Sequence, residues 1–458
     1  MRLSATRLGA MLVVGMAWFA VPIGMVAAGE TNQEVIDLVM GELRSGDPER
    51  QAGAIAIVRD IPGEAITRSL AEELPKLSPA VQVQLLSALA DRGDVTALPA
   101  VIEATQAQDE SVRVAALRAV GPLGSVKDVP LLAQRAATAR GQEQKAARDS
   151  LYRMRGSDLN TAILSHLAAA EPDVKVELIR AIGERNIVDG VTSLLQAATD
   201  ENRKVRLESL KVLRVVAAPN DLPALVNLTV NLTNESDRSE AEKTVAAVAH
   251  KIEDPNRQAA SVLAVLPGVE ETGKRASLLR ILGRIGDNSA LPALRAALTS
   301  REAVLQDAAI RALADWPTPE PLNDLLRVAQ TSENPVHRVV ALRGFVRLLG
   351  LARDRSAEES TELYKEAMAL APDANEKKRV LAGLGDAGTL PALQMASQYL
   401  DDLSLQAEAE SAVVRIAEKI HQQHLQPCRE ALARVIKGTG NQTLREEAQS
   451  LIDRMRTP

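Results

Sequence analysis

The stretch Leu98–Leu132, LPAVIEATQAQDESVRVAALRAVGPLGSVKDVPLL, holds two short amphipathic helices and the start of a third. In the second of them Val112, Ala116, Leu117 and Val120 recur at helical spacing and make one apolar stripe. Gly121 and Gly124 are expected to break that helix. Pro99 and Pro130 sit near the starts of the flanking first helices, where a missing N–H costs little. A helical pair of this size cannot bury its apolar face alone, so the fold must come from stacked copies.

Copies are present along most of the chain. Val112-Arg113-Val114-Ala115-Ala116-Leu117-Arg118-Ala119-Val120-Gly121 returns 62 residues later, or twice 31, as Val174-Lys175-Val176-Glu177-Leu178-Ile179-Arg180-Ala181-Ile182-Gly183. Related second helices start at Val205, Leu278, Ala308, Arg338 and, more weakly, Lys377. The first helices echo one another as Leu98-Pro99-Ala100, Leu222-Pro223-Ala224, Leu291-Pro292-Ala293 and Leu390-Pro391-Ala392. From Gly29 to Pro458 this predicts about thirteen helix pairs with a period of about 33 residues. Two less regular places interrupt the pattern: 227–254, with the polar run Asn234–Arg238, and 349–360. Both read as loops. Three Asn-X-Ser/Thr triplets begin at Asn227, Asn231 and Asn234, and two of them are expected to lie on a helix.

Composition agrees with a helical stack. The 458 residues carry 54 basic and 60 acidic side chains, well mixed and summing to −6, so no global field marks a nucleic-acid binder. Aromatic residues are only 2% of the chain, which suits thin helix-on-helix layers. Residues 1–28 read as an export signal: Arg2 and Arg7, an apolar run from Leu8 to Ala20, a break at Pro22 and Gly24, and Val26-Ala27-Ala28 as a cleavage site before Gly29. The expected domains are therefore a signal peptide over 1–28 and a solenoid over 29–458. No later stretch reaches about 18 uninterrupted apolar residues, so no membrane association is expected once the signal is removed. The single Cys428 allows no intramolecular disulfide.

The second-helix pattern x-V-R-x-x-A-L-R-A-[LIV]-G resembles HEAT repeats, of the short kind first named from phycobilisome lyases. The turns Asp47-Pro48, Asp254-Pro255, Gly286-Asp287 and Gly385-Asp386, and the Leu-Pro-Ala first helices, resemble them too. The segment from about Ala146 to Leu451, with Ala314-Asp315-Trp316-Pro317 and His337–Gly344, is also similar to HEAT modules of exported bacterial proteins. Some of those accompany a sugar-hydrolase or a cytochrome c domain; neither is evident in this chain. The resemblance implies an all-α fold, a right-handed superhelix of stacked antiparallel helix pairs whose second helices line the concave side. It also implies that Arg113, Lys175, Arg206 and Arg338, near Asp109 or Glu110, Asp173, Asp200 and Asn334, form a ladder tying neighbouring repeats together.

Arg118 lies about 140° of helix rotation from Arg113 and about 200° from Ala116, so it points away from the core. Its equivalents Arg180, Lys211, Arg280, Arg311 and Arg343 are all basic, and stacking would align the six as a stripe. Two readings compete. The stripe receives an acidic protein segment or an acidic glycan, or it is a solvated face, as Glu177 and Glu208 three residues before their cations suggest.

Elsewhere, His421, His424 and Cys428 are the nearest approach to a metal cluster. His421 and His424 are spaced to share a helix face, but Pro427 is expected to end that helix and turn Cys428 away, and no fourth ligand is apparent, so no metal site is assigned. Trp316, Phe345, Tyr364 and Tyr399 read as packing residues, the two tyrosines on first helices. No nucleophile elbow, phosphate loop, zinc-protease motif or dinucleotide fingerprint occurs, so no catalytic residue and no cofactor is assigned. The expected function is a non-catalytic exported scaffold for a protein partner. The alternative is an accessory subunit of an exported sugar-processing or redox enzyme, or a lyase-like enzyme.

Overall fold

The computed structural model describes residues 31–455, so the export signal expected over 1–28 lies outside the described residues. They fall into two compact units, divided after Arg185. The first carries five helix pairs. These are α1 (Thr31–Arg44) with α2 (Pro48–Val58), α3 (Glu64–Glu73) with α4 (Pro79–Arg92), and α5 (Leu98–Ala104) with α6 (Glu110–Leu123). Next come α7 (Val129–Thr138) with α8 (Gly141–Arg153), and α9 (Leu159–Leu167) with α10 (Pro172–Glu184).

The second unit carries eight pairs. It opens with α11 (Val191–Ala197) and α12 (Arg203–Val216), α13 (Leu222–Asn231) and α14 (Glu235–Ala249), then α15 (Ala260–Val265) and α16 (Thr272–Ile285). It continues with α17 (Leu291–Leu298) and α18 (Ala303–Ala314), α19 (Leu322–Thr331) and α20 (Pro335–Leu351), α21 (Ala357–Leu370) and α22 (Ala374–Leu384). The last pairs are α23 (Leu390–Ser397) with α24 (Gln406–Ile420) and α25 (Leu425–Gly438) with α26 (Gln442–Arg454). Among the described residues the fold is an all-α solenoid, and 26 α-helices make the thirteen pairs that the spacing predicts.

Local chemistry sets the boundaries. Proline occupies the first or second position of α5, α7, α13, α17 and α23, as expected. Most second helices begin on a side-chain cap. The Asp109 carboxylate accepts from the Ser111 and Val112 amides, and Asn202, Asn234 and Asn334 cap α12, α14 and α20 in the same way. First helices of seven to ten residues such as α5 and α7 are too short to be stable alone and hold through packing.

Four expectations change here. Gly121 does not break its helix, because α6 runs on through Pro122 to Leu123. Gly121 is buried, and a Cβ on it would meet Ser150 Oγ of α8 at 3.0 Å. That position serves the close approach of neighbouring second helices, and Ser150 Oγ donates to the Leu117 carbonyl across the same seam (2.8 Å). Likewise the second helix is apolar on more than one stripe: Val114 and Ala119 are buried beside Val112, Ala116, Leu117 and Val120. It packs against its own first helix and against second helices on both sides.

The run Asn234–Arg238, read as a loop, is the cap and first turn of α14. Its Asp237 and Arg238 are buried, so their polarity belongs to an internal ion network. The connection expected over 349–360 shrinks to the few residues between Leu351 and Ala357. Asn227 and Asn231 lie on α13, and Asn234 is the cap of α14.

Candidate functional site: the second-helix face

The basic residues of the second helices do two jobs. At the C-terminal ends they close carbonyls that a helix leaves without partners. Arg185 Nη1 donates to the carbonyls of Tyr152 (2.8 Å) and Met154 (2.9 Å), at the end of the preceding second helix. Lys251 does so for Val215 and Ala217 (2.6 and 2.7 Å), Arg347 for Ala314 (2.8 Å), Lys419 for Asp386 (2.7 Å), and Arg92 for Val58 and Ile61. A cation there also meets the negative end of the helix dipole. Burial lowers the pKa of Arg92, Arg185 and Lys251, the signature of cations drawn into the stack. No sequence motif announces these clamps, because each reaches roughly one repeat back along the chain.

Nearer the N-terminal ends, Arg113 and Arg206 of the expected ladder tie neighbouring repeats together with different partners, whereas Arg338 donates to the Ser332 carbonyl of its own turn (3.0 Å). Arg113 donates to the carbonyls of Ala107 (2.9 Å) and Gln108 (2.6 Å) in its own turn and to Glu143 of the next repeat (2.8 Å). Arg206 repeats this with Asp200 and Glu201 carbonyls (both 2.9 Å) and the Asp237 carboxylate (2.6 Å). Asp109 is occupied as a helix cap; the ladder acid comes from the following second helix.

The stripe lies midway. Arg118 is exposed, and no hydrogen bond or ion pair engages it among the described residues. Arg180 pairs with Glu177 (2.7 Å), Lys211 with Glu208 (3.6 Å), Arg280 with Glu242 (2.6 Å), Arg311 with Asp307 (2.9 Å) and Arg343 with Glu376 (2.5 Å). Two further cations share the position. Arg148 of α8 reaches Glu177 (2.6 Å) and Lys243 of α14 reaches Glu240 (3.0 Å). They escape a search for the A-L-R-A motif because α8 reads Ala147-Arg148-Asp149 and α14 reads Glu242-Lys243-Thr244. A cation thus recurs on α6, α8 and α10 in the first unit and on α12, α14, α16, α18 and α20 in the second.

The members are unequal. Glu177, Glu242 and Glu376 are only 4%, 1% and 2% exposed as side chains, so Arg180, Arg280 and Arg343 neutralise buried carboxylates. Lys211 and Arg311 are more than half or half exposed and pair with carboxylates of their own helix. Such exposed pairs are worth about 0–1 kcal/mol and exchange readily with an incoming anion.

The remaining candidates are structural. His421 and His424 stand at the end of α24 and before α25, not on one helix face, because α24 stops at Ile420. His421 Nδ1 lies 2.8 Å from the Glu418 carbonyl. Pro427 sits in the first turn of α25 rather than ending a helix, and Cys428 is buried, which pushes its thiol up to about 11. Among the described residues no group of three or more His, Cys, Asp or Glu is placed to hold a metal ion. Trp316 and Phe345 are fully buried, and Trp316 Nε1 donates to Asn288 Oδ1 (3.2 Å). Tyr364 is buried on α21, its hydroxyl pushed up to about 12 by burial, while Tyr399 lies just past the end of α23. Among the described residues no helix is long and apolar enough to cross a membrane.

This geometry defines a class: an α-solenoid of helical repeats that offers a charged second-helix face. Residues 67–151, which run from within α3 into α8, and residues 260–345, which run from α15 into α20, match the family model of HEAT repeats. No curated protein matches the sequence. Among solved structures the chain is similar to Kap121p bound to Ste12p, with a TM-score of 0.57 and 14% identity over 92% of this chain and 53% of that one. The karyopherin Kap121p bound to the extreme C-terminus of the protein phosphatase Cdc14p gives 0.56 and 14% over 93% and 54%. Kap95p, in a structure describing its effect on the switch loops of RanGDP, gives 0.50 and 10% over 92% and 66%. The chain spans about half the length of Kap121p, and at these identities the likeness is one of fold.

Proposed function

We propose that this chain is an exported, non-catalytic scaffold that holds a protein partner against its second-helix face. The observation that carries the reading is the cation repeated at one register on successive second helices, part of it in exposed, exchangeable pairs. A stacked-repeat surface of this kind spreads affinity over many weak contacts. Kap121p, a solenoid of similar fold, is bound to the protein Ste12p in one structure and to the extreme C-terminus of Cdc14p in another, which supports a protein as the partner. An acidic segment is the partner chemistry that fits the stripe, and the N-terminal 28 residues would deliver the chain across a membrane.

Affinity capture from a periplasmic extract, with mass spectrometry of the retained proteins, tests the reading. A reproducible protein partner is expected, and its recovery should fall with R118E/R311E, which leaves the buried carboxylates of the stack paired. Retention of nothing by the unaltered chain, or an enzymatic activity lost with a single carboxylate or histidine, overturns it. A mature chain beginning at Gly29 is the expected sign of export.

A further inference from the structure

A cleft of about 580 Å³ opens between α12 and α14. Arg203, Leu207 and Lys211 line it at four-residue spacing along one face of α12, and Ser236, Ser239 and Lys243 line it from α14. Arg203 and Lys211 are 60% and 56% exposed as side chains. Arg203 donates to Ser236 Oγ (3.0 Å), and the nearest oxygen of Asp237 is 4.0 Å from it. The Lys211 pair with Glu208, at 3.6 Å, is the longest in the stripe. Glu240 also lines the cleft and pairs with Lys243 (3.0 Å) and Arg214. Glu235, at the start of α14, lines it too.

The geometry points to an extended peptide with an acidic, an apolar and an acidic residue at alternate positions as the occupant of this cleft. Eight helical residues separate Arg203 from Lys211, a rise of about 12 Å. In an extended chain residues i and i+4 are about 13 Å apart and point to the same face as i+2. Two carboxylates so spaced reach Arg203 at one end and Lys211 with Lys243 at the other. The residue between them rests on the half-buried Leu207, and the Ser239 hydroxyl is free to meet the peptide backbone. The inference rests on the scaffold reading and gives it a place and a recognition rule.

The test is fluorescence anisotropy of the full chain with a labelled Gly-Asp-Gly-Leu-Gly-Asp-Gly peptide, against a control with both Asp residues adjacent. Saturable binding is expected, at least about fivefold tighter than the control and weakened by salt. K211E/K243E should weaken it about tenfold or more, equivalent to about 1.4 kcal/mol. L207E, which keeps every cation, should do the same, and circular dichroism confirms that both variants remain helical. Equal binding of the control, or binding unchanged in both variants, overturns the inference. So does protein capture that persists undiminished in K211E/K243E, an outcome that leaves the scaffold reading standing; an unaltered chain that captures nothing removes the scaffold reading itself.

Discussion

Arg280→Leu separates a surface charge from a structural one. Glu242 of α14 is 1% exposed and accepts from Arg280 Nε (3.0 Å), Arg280 Nη2 (2.6 Å) and Ser277 Oγ (2.7 Å). Removing the guanidinium leaves the serine bond but strands the charge, a defect that costs about 3–5 kcal/mol in comparable buried pairs. The expected loss is therefore about 3–5 kcal/mol at the seam between α14 and α16. Stacked repeats unfold by neighbouring interfaces rather than as one unit, so the assay is amide hydrogen exchange along these two helices. Protection there should fall by at least about two orders of magnitude, at about 1.4 kcal/mol for each factor of ten. Replacing both partners, E242L/R280L, should restore most of it, because an apolar pair leaves no uncompensated charge. A single variant costing less than about 1 kcal/mol, or a double variant as damaged as the single, would refute the reasoning.

Three further outcomes are expected. Gly283→Ala in α16 should destabilise by about 1–3 kcal/mol in urea unfolding, because its Cβ would lie 2.7 Å from Ala312 Cα of α18; on helix propensity alone the change would stabilise by about 0.5–1 kcal/mol, so the sign decides. Cys428 should resist alkylation in the native chain at about pH 8 and react at once in denaturant, since burial holds its thiol at about 11. The Arg44 hydrogen bond holds the Glu73 carboxyl below its ordinary value of 4.5, against the opposing effect of burial and with help from Lys76. A depressed carboxylate stabilises fully above the ordinary value and loses that contribution as pH falls through the depressed one. The α1–α3 tie should therefore weaken only below about pH 4.5, and Glu73→Gln should flatten that part of the stability profile.

The sequence reaches far on local matters because a repeat is written in residues near one another. Val112, Ala116, Leu117 and Val120 announce a second helix, Pro99 and Pro130 the first helices beside it, and the recurrence of both gives thirteen pairs. The same locality misleads where a residue's purpose lies in the next repeat. Gly121 resembles a helix stop, yet it admits Ser150; Asn234–Arg238 resembles a loop, yet Asp237 is the ladder acid of Arg206. The missed stripe members Arg148 and Lys243 lack the motif but share the position.

What the sequence alone determined is the all-α repeat architecture, the helix boundaries that caps and prolines mark, and the existence of a recurring cation. What only the tertiary structure decided is which of those cations are committed. Arg280 meets Glu242 across 38 residues and Arg343 meets Glu376 across 33, and such pairs form only when one second helix lies against the next. Periodicity fixes where a side chain points along its own helix, whereas the burial of its partner depends on the packing of another.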